Sequence, residues 1–209
     1  MFITFEGIDC SGKSTQIEIL MNALRKQRRE VLIVREPGGT EISERIRALL
    51  LDLKHREMDG TTELLLFSSS RSQLVIERIL PALERGAVVI ADRFYDSTTA
   101  YQGYGRGINI EAILRVHEIA THGLIPDLSF FIDISVEESL QRRSIRAGQP
   151  DRMESSDTAF FNRVRDGYLK IASISPSRFR VIDGARPLEP VAEDIWGWVN
   201  ASLPLPEDQ

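Results

Sequence analysis

The segment from Gly7 to Ser14 constrains this chain more than any other part of the sequence. It reads GIDCSGKS and fits the pattern G-x-x-x-x-G-K-S at every fixed position. A β-rich run, Phe2 to Phe5, precedes it, and a helical stretch begins at Lys13, which is the context in which this pattern holds phosphate. The glycines let backbone N–H groups turn towards an anion, and the helix presents its positive end to the same anion. The sequence therefore predicts a nucleoside triphosphate site.

Two side chains of the segment have specific expected partners. We expect Lys13 to reach the β- and γ-phosphates and the hydroxyl of Ser14 to bind Mg²⁺. The residues predicted to surround the triphosphate are Gly7, Ile8, Asp9, Cys10, Ser11, Gly12, Lys13, Ser14 and Thr15. The pattern does not specify a reaction, because motors, GTPase switches and transporter ATPases also carry it.

Short apolar runs alternate with helical periodicity along the chain. The predicted strands are Phe2 to Phe5, Val31 to Val34, Val88 to Ala91, Leu128 to Ile132 and Phe179 to Ile182. The predicted helices are Lys13 to Arg28, Glu41 to Asp52, Thr61 to Arg85 and Leu188 to Ala201. Strands of this kind are typical of a parallel sheet buried on both faces by helices. We expect an α/β, P-loop NTPase fold with a five-stranded parallel sheet, in a single domain covering residues 1–202.

Composition narrows the class of partner. The net charge of −5 gives no basic field that would attract a nucleic-acid backbone or an anionic membrane, so we expect a small-molecule substrate. Cys10 is the sole cysteine, which argues against a disulfide framework and for a reducing compartment. No window approaches the roughly 18 consecutive apolar residues of a membrane helix, and no signal-peptide pattern precedes Phe2. We expect a cytoplasmic protein.

Polar side chains follow two further predicted strands. The run VVIADRF ends in Asp92 and Arg93, where an aspartate can hold Mg²⁺, directly or through water, and an arginine can clamp a phosphate. The next segment, Ser97 to Gly103 (STTAYQG), carries hydroxyls, an amide and an aromatic ring, which suit a base and a sugar. Arg35 and Glu36 open the turn REPGGT at the end of another strand.

The segment FSSSR places an aromatic ring and an arginine on one helix face. Phe67 and Arg71 are four residues apart, so a helix brings them together. Such a pair can stack on a base and bond its edge, although a core phenylalanine beside a solvent-exposed arginine fits the spacing equally well.

Taken together, these segments resemble the thymidylate kinase family. The resemblance rests on GIDCSGKST, REPGGT, FSSSRSQ, DRFYDSTTAYQGYGRG, DRME and RVRDGYL, and it extends from Phe2 to about Trp198. It implies transfer of the γ-phosphoryl group of ATP–Mg²⁺ to dTMP in dTTP synthesis, by a homodimer. Such an acceptor phosphate is already a dianion near neutral pH and needs no general base, which agrees with three histidines that lie outside every motif.

The resemblance also implies roles for individual residues on the acceptor side. Phe67 would stack on thymine, Arg71 would contact its edge, Thr98 would lie near ring N3, Tyr101 would crowd C2′ against ribonucleotides, and Arg93 would grip the dTMP phosphate. Asp9 would approach the 3′-hydroxyl or the acceptor phosphate. The implied dTMP site comprises Asp9, Glu36, Pro37, Phe67, Arg71, Arg93, Ser97, Thr98, Tyr101 and Gln102.

A basic segment at about residues 142–154 (RRSIRAGQPDRME) corresponds to the lid of the family. Arg143 would lie over adenine. Because Cys10 stands where one branch of the family has arginine, a lid arginine, Arg146 or Arg152, would supply the catalytic cation. The implied catalytic residues are Asp9, Lys13, Arg35, Arg93, Arg146 and Arg152. The last residues, 203–209 (LPLPEDQ), are expected to form a flexible tail.

Two alternatives remain open at this stage. A deoxynucleoside kinase on the same scaffold would need a base for the 5′-hydroxyl, and Glu36 could serve. A regulatory P-loop NTPase is the second alternative, although the N-K-x-D motif that GTPase switches usually carry is not found in the sequence.

Overall fold

One parallel sheet lies at the centre of the computed structural model, which describes residues 1–145 and 151–203. Its strands are β1 (Phe2–Glu6), β2 (Val31–Arg35), β3 (Val88–Asp92), β4 (Leu128–Asp133) and β5 (Phe179–Asp183). They are ordered β2-β3-β1-β4-β5, and every neighbouring pair is parallel. The predicted five-stranded parallel sheet is confirmed.

Helices cover both faces of this sheet. They are α1 (Lys13–Lys26), α2 (Glu41–Leu51), α3 (Gly60–Leu74), α4 (Leu80–Glu84), α5 (Tyr95–Thr98), α6 (Ile110–Thr121), α7 (Val136–Ile145), α8 (Thr158–Ile174) and α9 (Leu188–Ser202). Successive strand residues point to opposite faces, so Ile3 of β1 packs with α1 and α9, whereas Phe2 packs with α3 and α4. A third cluster joins α8 to β4 through Tyr168 and Phe131.

The long helix expected from Thr61 to Arg85 is interrupted, so that prediction was wrong in detail. An α-helix runs over Gly60–Leu74, a π-helical segment over Val75–Ile79, and a short α-helix over Leu80–Glu84. Pro81 explains the wider turn, because proline lacks an N–H and its ring clashes with the carbonyl four residues earlier.

Two long helices, α6 and α8, lie outside the set predicted from sequence. Their first turns are capped by the side chains of Asn109 and Asp157. In the expected lid, α7 ends at Ile145 and the chain is described again from Asp151, while residues 146–150 lie outside the described residues. The expected tail, residues 203–209, lies outside them from residue 204 onwards, and the single-domain interpretation of residues 1–202 stays a prediction.

The register of the sheet brings the predicted motifs to one edge. Asp92 at the end of β3 lies opposite Phe5 on one side and Arg35 on the other. The turns that follow β1, β2 and β3 therefore leave the sheet side by side. Within the described ranges, none of the helices combines the length and apolar character needed to cross a bilayer.

Candidate active site

The loop between β1 and α1, called the P-loop below, has the backbone that its glycines predict. Gly7 has a φ of 136° and Gly12 of 103°, and a Cβ on Gly7 would lie 2.7 Å from the carbonyl oxygen of Ile132. Lys13 Nζ folds back over the loop and donates to the carbonyl oxygens of Gly7 (3.1 Å) and Ile8 (3.0 Å). Burial lowers the pKa of Lys13, and the nearby positive charge of Arg93 lowers it further. An arriving phosphate anion would offset both effects.

Ser14 and Asp92 provide the oxygens suited to a hard divalent cation. Ser14 Oγ donates to Asp92 Oδ2 at 3.3 Å, across the gap between α1 and the end of β3. In the described part of the chain, no three or more His, Cys, Asp or Glu side chains cluster closely enough to form a metal site. The pair fits Mg²⁺, which keeps several waters and takes its remaining ligands from one or two protein oxygens and from phosphate.

Arg93 is held in an uncommon conformation at the start of the turn after β3. Its φ of 71° lies in the left-handed region, where a side chain is strained. One nitrogen, Nη2, pairs with Asp9 Oδ1 at 2.7 Å, and the other, Nη1, donates to Ser97 Oγ and Tyr168 OH. The guanidinium also lies over the ring of Tyr101, 5.1 Å from its centroid. These contacts hold the guanidinium group of Arg93 at the side of the site that faces the P-loop.

Arg71 is buried, with 1% of its surface exposed, so the alternative of a solvent-facing arginine at this position is wrong. It donates to Glu36 Oε2 (2.8 Å) and to Thr98 Oγ1 (2.9 Å). Burial raises the pKa of Glu36, and the charge of Arg71 partly offsets that effect. Arg71 Nη1, Glu36 Oε1 and Tyr101 OH are buried without a hydrogen-bond partner in the structure. Because buried polar atoms rarely stay unpaired, this arrangement points to a polar ligand.

Two cavities meet at these residues. The first, called the Phe67 cavity, is lined by Asp9, Glu36, Pro37, Arg47, Leu51, Phe67, Arg71, Arg93, Phe94, Ser97, Thr98, Tyr101, Gln102, Asp151 and Met153. The second, the P-loop cavity, is lined by Asp9, Cys10, Ser11, Gly12, Lys13, Ser14, Thr15, Arg35, Glu36, Arg47, Asp92 and Arg93. Four residues line both: Asp9, Glu36, Arg47 and Arg93.

The structure brings together all ten residues expected to form the dTMP site, since each lines the Phe67 cavity. Five further residues line this cavity and were not predicted from the sequence: Arg47, Leu51, Phe94, Asp151 and Met153. Arg47 lies on α2, whose pattern is that of an ordinary amphipathic helix, so no local signal marks it.

Arg35 and Arg47 converge on one backbone carbonyl. Arg35 Nη1 donates to Pro37 O at 3.0 Å and Arg47 Nη1 to the same oxygen at 2.9 Å. The other nitrogen of Arg35 bonds both oxygens of Glu44, at 3.0 Å each. The N–H of Gly39, followed by Arg35, lowers the pKa of Glu44. Arg35 is thereby fixed, whereas Arg47 faces both cavities.

Of the lid arginines at positions 142, 143 and 152, which the structure describes, only Arg142 bonds the P-loop. It donates to the carbonyl oxygens of Cys10 and Ser11 at 3.3 Å each and to that of Gly184 at 3.0 Å. Arg143 instead bonds Glu154 O at 2.7 Å and lies over the ring of Phe161.

The two remaining lid candidates differ in what the structure describes. Arg152 is buried, pairs with Glu63 at 2.6 Å and donates to Leu50 O at 2.6 Å. It therefore anchors the turn that brings Asp151 and Met153 to the Phe67 cavity. Arg146 lies outside the described residues.

Known proteins of one family match this chain in sequence and in structure. The family model described as thymidylate kinase matches residues 5–195. A thymidylate kinase from Thermoanaerobacter sp. (strain X514) is 49% identical over 194 residues, covering 93% of this chain and 94% of the relative. One from Chlorobaculum parvum is 46% identical, covering 100% and 99%. The crystal structure of thymidylate kinase from Ehrlichia chaffeensis matches with a TM-score of 0.77 and 36% identity, over 96% of this chain and 98% of that one. The predicted P-loop NTPase fold is confirmed.

Proposed function

We propose a residue-level mechanism for this chain, which belongs to the thymidylate kinase family and phosphorylates dTMP to dTDP with ATP. The resemblance seen in the motifs is confirmed. Neither alternative, a deoxynucleoside kinase or a regulatory NTPase, gains support from the relatives.

ATP is proposed to bind through the P-loop cavity. The β- and γ-phosphates would lie against the backbone N–H groups of the loop, with Lys13 Nζ leaving the carbonyl oxygens of Gly7 and Ile8 to meet them. Arg142 replaces Arg143 as the proposed partner of adenine, because Arg142 lies between the P-loop and Gly184. Ser14 and Asp92 would hold Mg²⁺, which neutralises phosphate charge when bound.

dTMP is proposed to bind in the Phe67 cavity. Phe67 offers its ring to thymine, and the unpaired Nη1 of Arg71 is a donor for the edge of the base. Tyr101, whose hydroxyl is also unpaired, would face the sugar. The phosphate would take the place between Asp9 and Arg93, at the side of the cavity that opens towards the P-loop.

One observation carries this mechanism: the two cavities share Asp9, Glu36, Arg47 and Arg93. Phosphoryl transfer needs the acceptor oxygen and the γ-phosphorus in line, with the charge of both anions neutralised. The four residues that line both cavities are called the shared wall below, and the two phosphates would approach each other there. Lys13 and Arg93 would neutralise the two phosphates from opposite sides, and Arg47, half-buried beside both, would add a third cation.

The lid arginines receive different proposed roles. Arg152 already bonds Glu63 and the carbonyl oxygen of Leu50. We therefore propose that it anchors the turn that lines the Phe67 cavity and does not contact the γ-phosphate. Arg146 stays a prediction as the lid cation. Arg35 would orient the turn after β2 through Glu44 and Pro37.

A homodimer is proposed through the layer formed by α2, α3 and α6. These helices pack side by side and expose large apolar side chains: Leu65 is 52% exposed, Leu114 53% and Ile119 77%. Patches of this kind commonly mark protein interfaces.

The free thiol of Cys10 suits a reducing compartment, and we place the enzyme in the cytoplasm on that ground.

The experiment that tests the acceptor assignment is a panel of nucleoside monophosphates with ATP–Mg²⁺, followed by coupled ADP release. We expect dTMP to be phosphorylated most efficiently, dUMP less efficiently, and thymidine not at all. Turnover of thymidine without turnover of dTMP would contradict the assignment. ADP release that no monophosphate stimulates would favour a regulatory NTPase instead.

A further inference from the structure

Glu6 is a buried acid that the mechanism above does not use. It ends β1, directly before the P-loop, and its side chain is fully buried. Among the described residues, no lysine, arginine or histidine lies within ion-pair distance of its carboxylate. Burial, followed by the nearby charge of Asp96, raises the pKa of Glu6 to about 8, so hydrogen bonds and not an ion pair hold this side chain in place.

The two oxygens of Glu6 reach the turn that carries Arg93. Oε1 accepts a hydrogen bond from the backbone N–H of Phe94 at 2.8 Å, and Oε2 accepts from Ser97 Oγ at 2.6 Å. Tyr168 OH also donates to Oε2, at 3.2 Å. Phe94 directly follows Arg93, whose φ is 71°, so this bond fixes the peptide that holds Arg93 in its strained conformation.

The same two hydroxyls contact the guanidinium group. Arg93 Nη1 donates to Ser97 Oγ at 3.3 Å and to Tyr168 OH at 3.4 Å. These two hydroxyls also lie within hydrogen-bond distance of each other, at 2.8 Å, and both contact Glu6 Oε2. Glu6 thus faces Arg93 across two hydroxyls, while Asp9 holds the opposite nitrogen at 2.7 Å.

We propose that Glu6 is a positioning residue that fixes both the backbone and the guanidinium of Arg93 for the phosphate of the acceptor nucleotide. This inference rests on the proposed role of Arg93. Because Glu6 lies at the end of the strand that leads into the P-loop, it also sets the Arg93 turn at a constant distance from the triphosphate site.

Equilibrium binding of dTMP and thymidine separates positioning from general damage, because the two ligands differ only in the phosphate. For Glu6→Gln, we expect the dTMP affinity to fall at least about tenfold, the size of one hydrogen bond, because an NH₂ group replaces one of the two accepting oxygens, and we expect the thymidine affinity to change less than about twofold. Equal losses for both ligands, or no loss for dTMP, would overturn the proposal.

Arg93→Ala shows whether the premise itself holds. This variant should also lose dTMP and keep thymidine. If it binds dTMP as well as the wild type does, the role of Arg93 is wrong; if only Glu6→Gln leaves dTMP binding intact, the role of Glu6 is wrong. Combining Glu6→Gln with Arg93→Ala should cause no further loss, since Glu6 acts through Arg93.

Two more variants guard against misfolding of Glu6→Gln. Tyr168→Phe keeps the acid and deletes one hydroxyl, and it should weaken dTMP binding more than thymidine binding. Glu63→Gln removes an equally buried carboxylate whose partners are Gln102, Arg106 and Arg152. The effect of Glu63→Gln on dTMP binding should add to that of Arg93→Ala. The proposal would be contradicted if these two effects were not additive. It would also be contradicted if Tyr168→Phe lost affinity for dTMP and thymidine equally.

Discussion

In the proposed mechanism, single cations would set how closely the two phosphates approach each other. Lys13 lines the P-loop cavity and Arg93 lines both cavities, and each is held by neighbours that a bound nucleotide would replace or complement. Arg47, like Arg93, lines both cavities, and its Nη1 donates to the backbone carbonyl oxygen of Pro37. Burial lowers the pKa of Arg47, and the nearby charge of Arg35 adds to the effect. A phosphate group bound beside Arg47 would offset the cost of burying its charge.

Replacing Arg47 with alanine should lower kcat/KM for dTMP, because a charge-assisted contact is lost. The decrease should correspond to about 1.5–3 kcal/mol of transition-state stabilisation. Steady-state kinetics with dTMP varied at saturating ATP would measure this. Arg45→Ala is the matched control: Arg45 lies two residues earlier on α2, is exposed and pairs only with Glu41 among the described residues. Equal kinetics for the two variants would remove Arg47 from the mechanism.

His117 makes the stability of the fold sensitive to acid. Burial, followed by the charge of Arg71, lowers the pKa of His117 to about 3, against an unfolded value near 6.5. The unfolded chain therefore binds a proton that the folded chain excludes, and the stabilisation present above pH 6.5 is lost as the pH falls towards 3. Between those values, this residue should contribute a slope of about 1.4 kcal/mol per pH unit.

Urea unfolding at several pH values would test this contribution. In His117→Gln, the free energy of unfolding should fall less steeply with decreasing pH than in the wild type. Parallel curves for the two proteins would show that His117 is protonated in the folded state as readily as in the unfolded chain.

At the level of whole elements, patterns that depend on local sequence were predictable and those that depend on packing were not. The strand-then-glycine pattern located the P-loop, and apolar runs located all five strands within one or two residues. The π-helical segments before Pro81 and over Thr99–Gly105 leave no periodic signal, because they arise from a proline and from close packing against α8. Arg47 and Met153 reach the site only through tertiary folding, and for that reason no motif contains them.

The close contact between α8 and the Thr99–Gly105 segment depends on small residues. A Cβ on Gly167 would lie 2.7 Å from the Tyr104 ring. Gly167→Ala should lower the free energy of unfolding by about 1–3 kcal/mol, because overpacking outweighs the better helix propensity of alanine. Gly197→Ala in α9 is the control: nothing lies within 4 Å of the Cβ that alanine would add there, and it should raise stability by about 0.5–1 kcal/mol. Urea unfolding would measure both, and a stabilising Gly167→Ala would contradict the packing described here.

For the molecule as a whole, the exposed apolar side chains of the α2–α3–α6 layer predict self-association. Sedimentation velocity should show a dimer for the wild type and a monomer for Leu65→Glu, since dimerisation through this layer would remove the new charge from water. Val181→Glu, on the edge strand β5, should remain dimeric. A monomeric wild type, or a dimeric Leu65→Glu, would contradict this choice of interface.

The proposed placement of both nucleotides follows from a sheet whose strand ends bring two candidate anion sites to one edge. The sequence predicted the residues of each site, because they follow apolar strands in short motifs, but the shared wall between the cavities depends on the register of β1, β2 and β3. A crystal structure with dTMP and a non-hydrolysable ATP analogue tests this account most directly. We predict the dTMP phosphate beside Arg93, thymine beside Phe67, and the γ-phosphate at Lys13. A deoxynucleotide bound anywhere other than between Phe67 and Arg93 would contradict it.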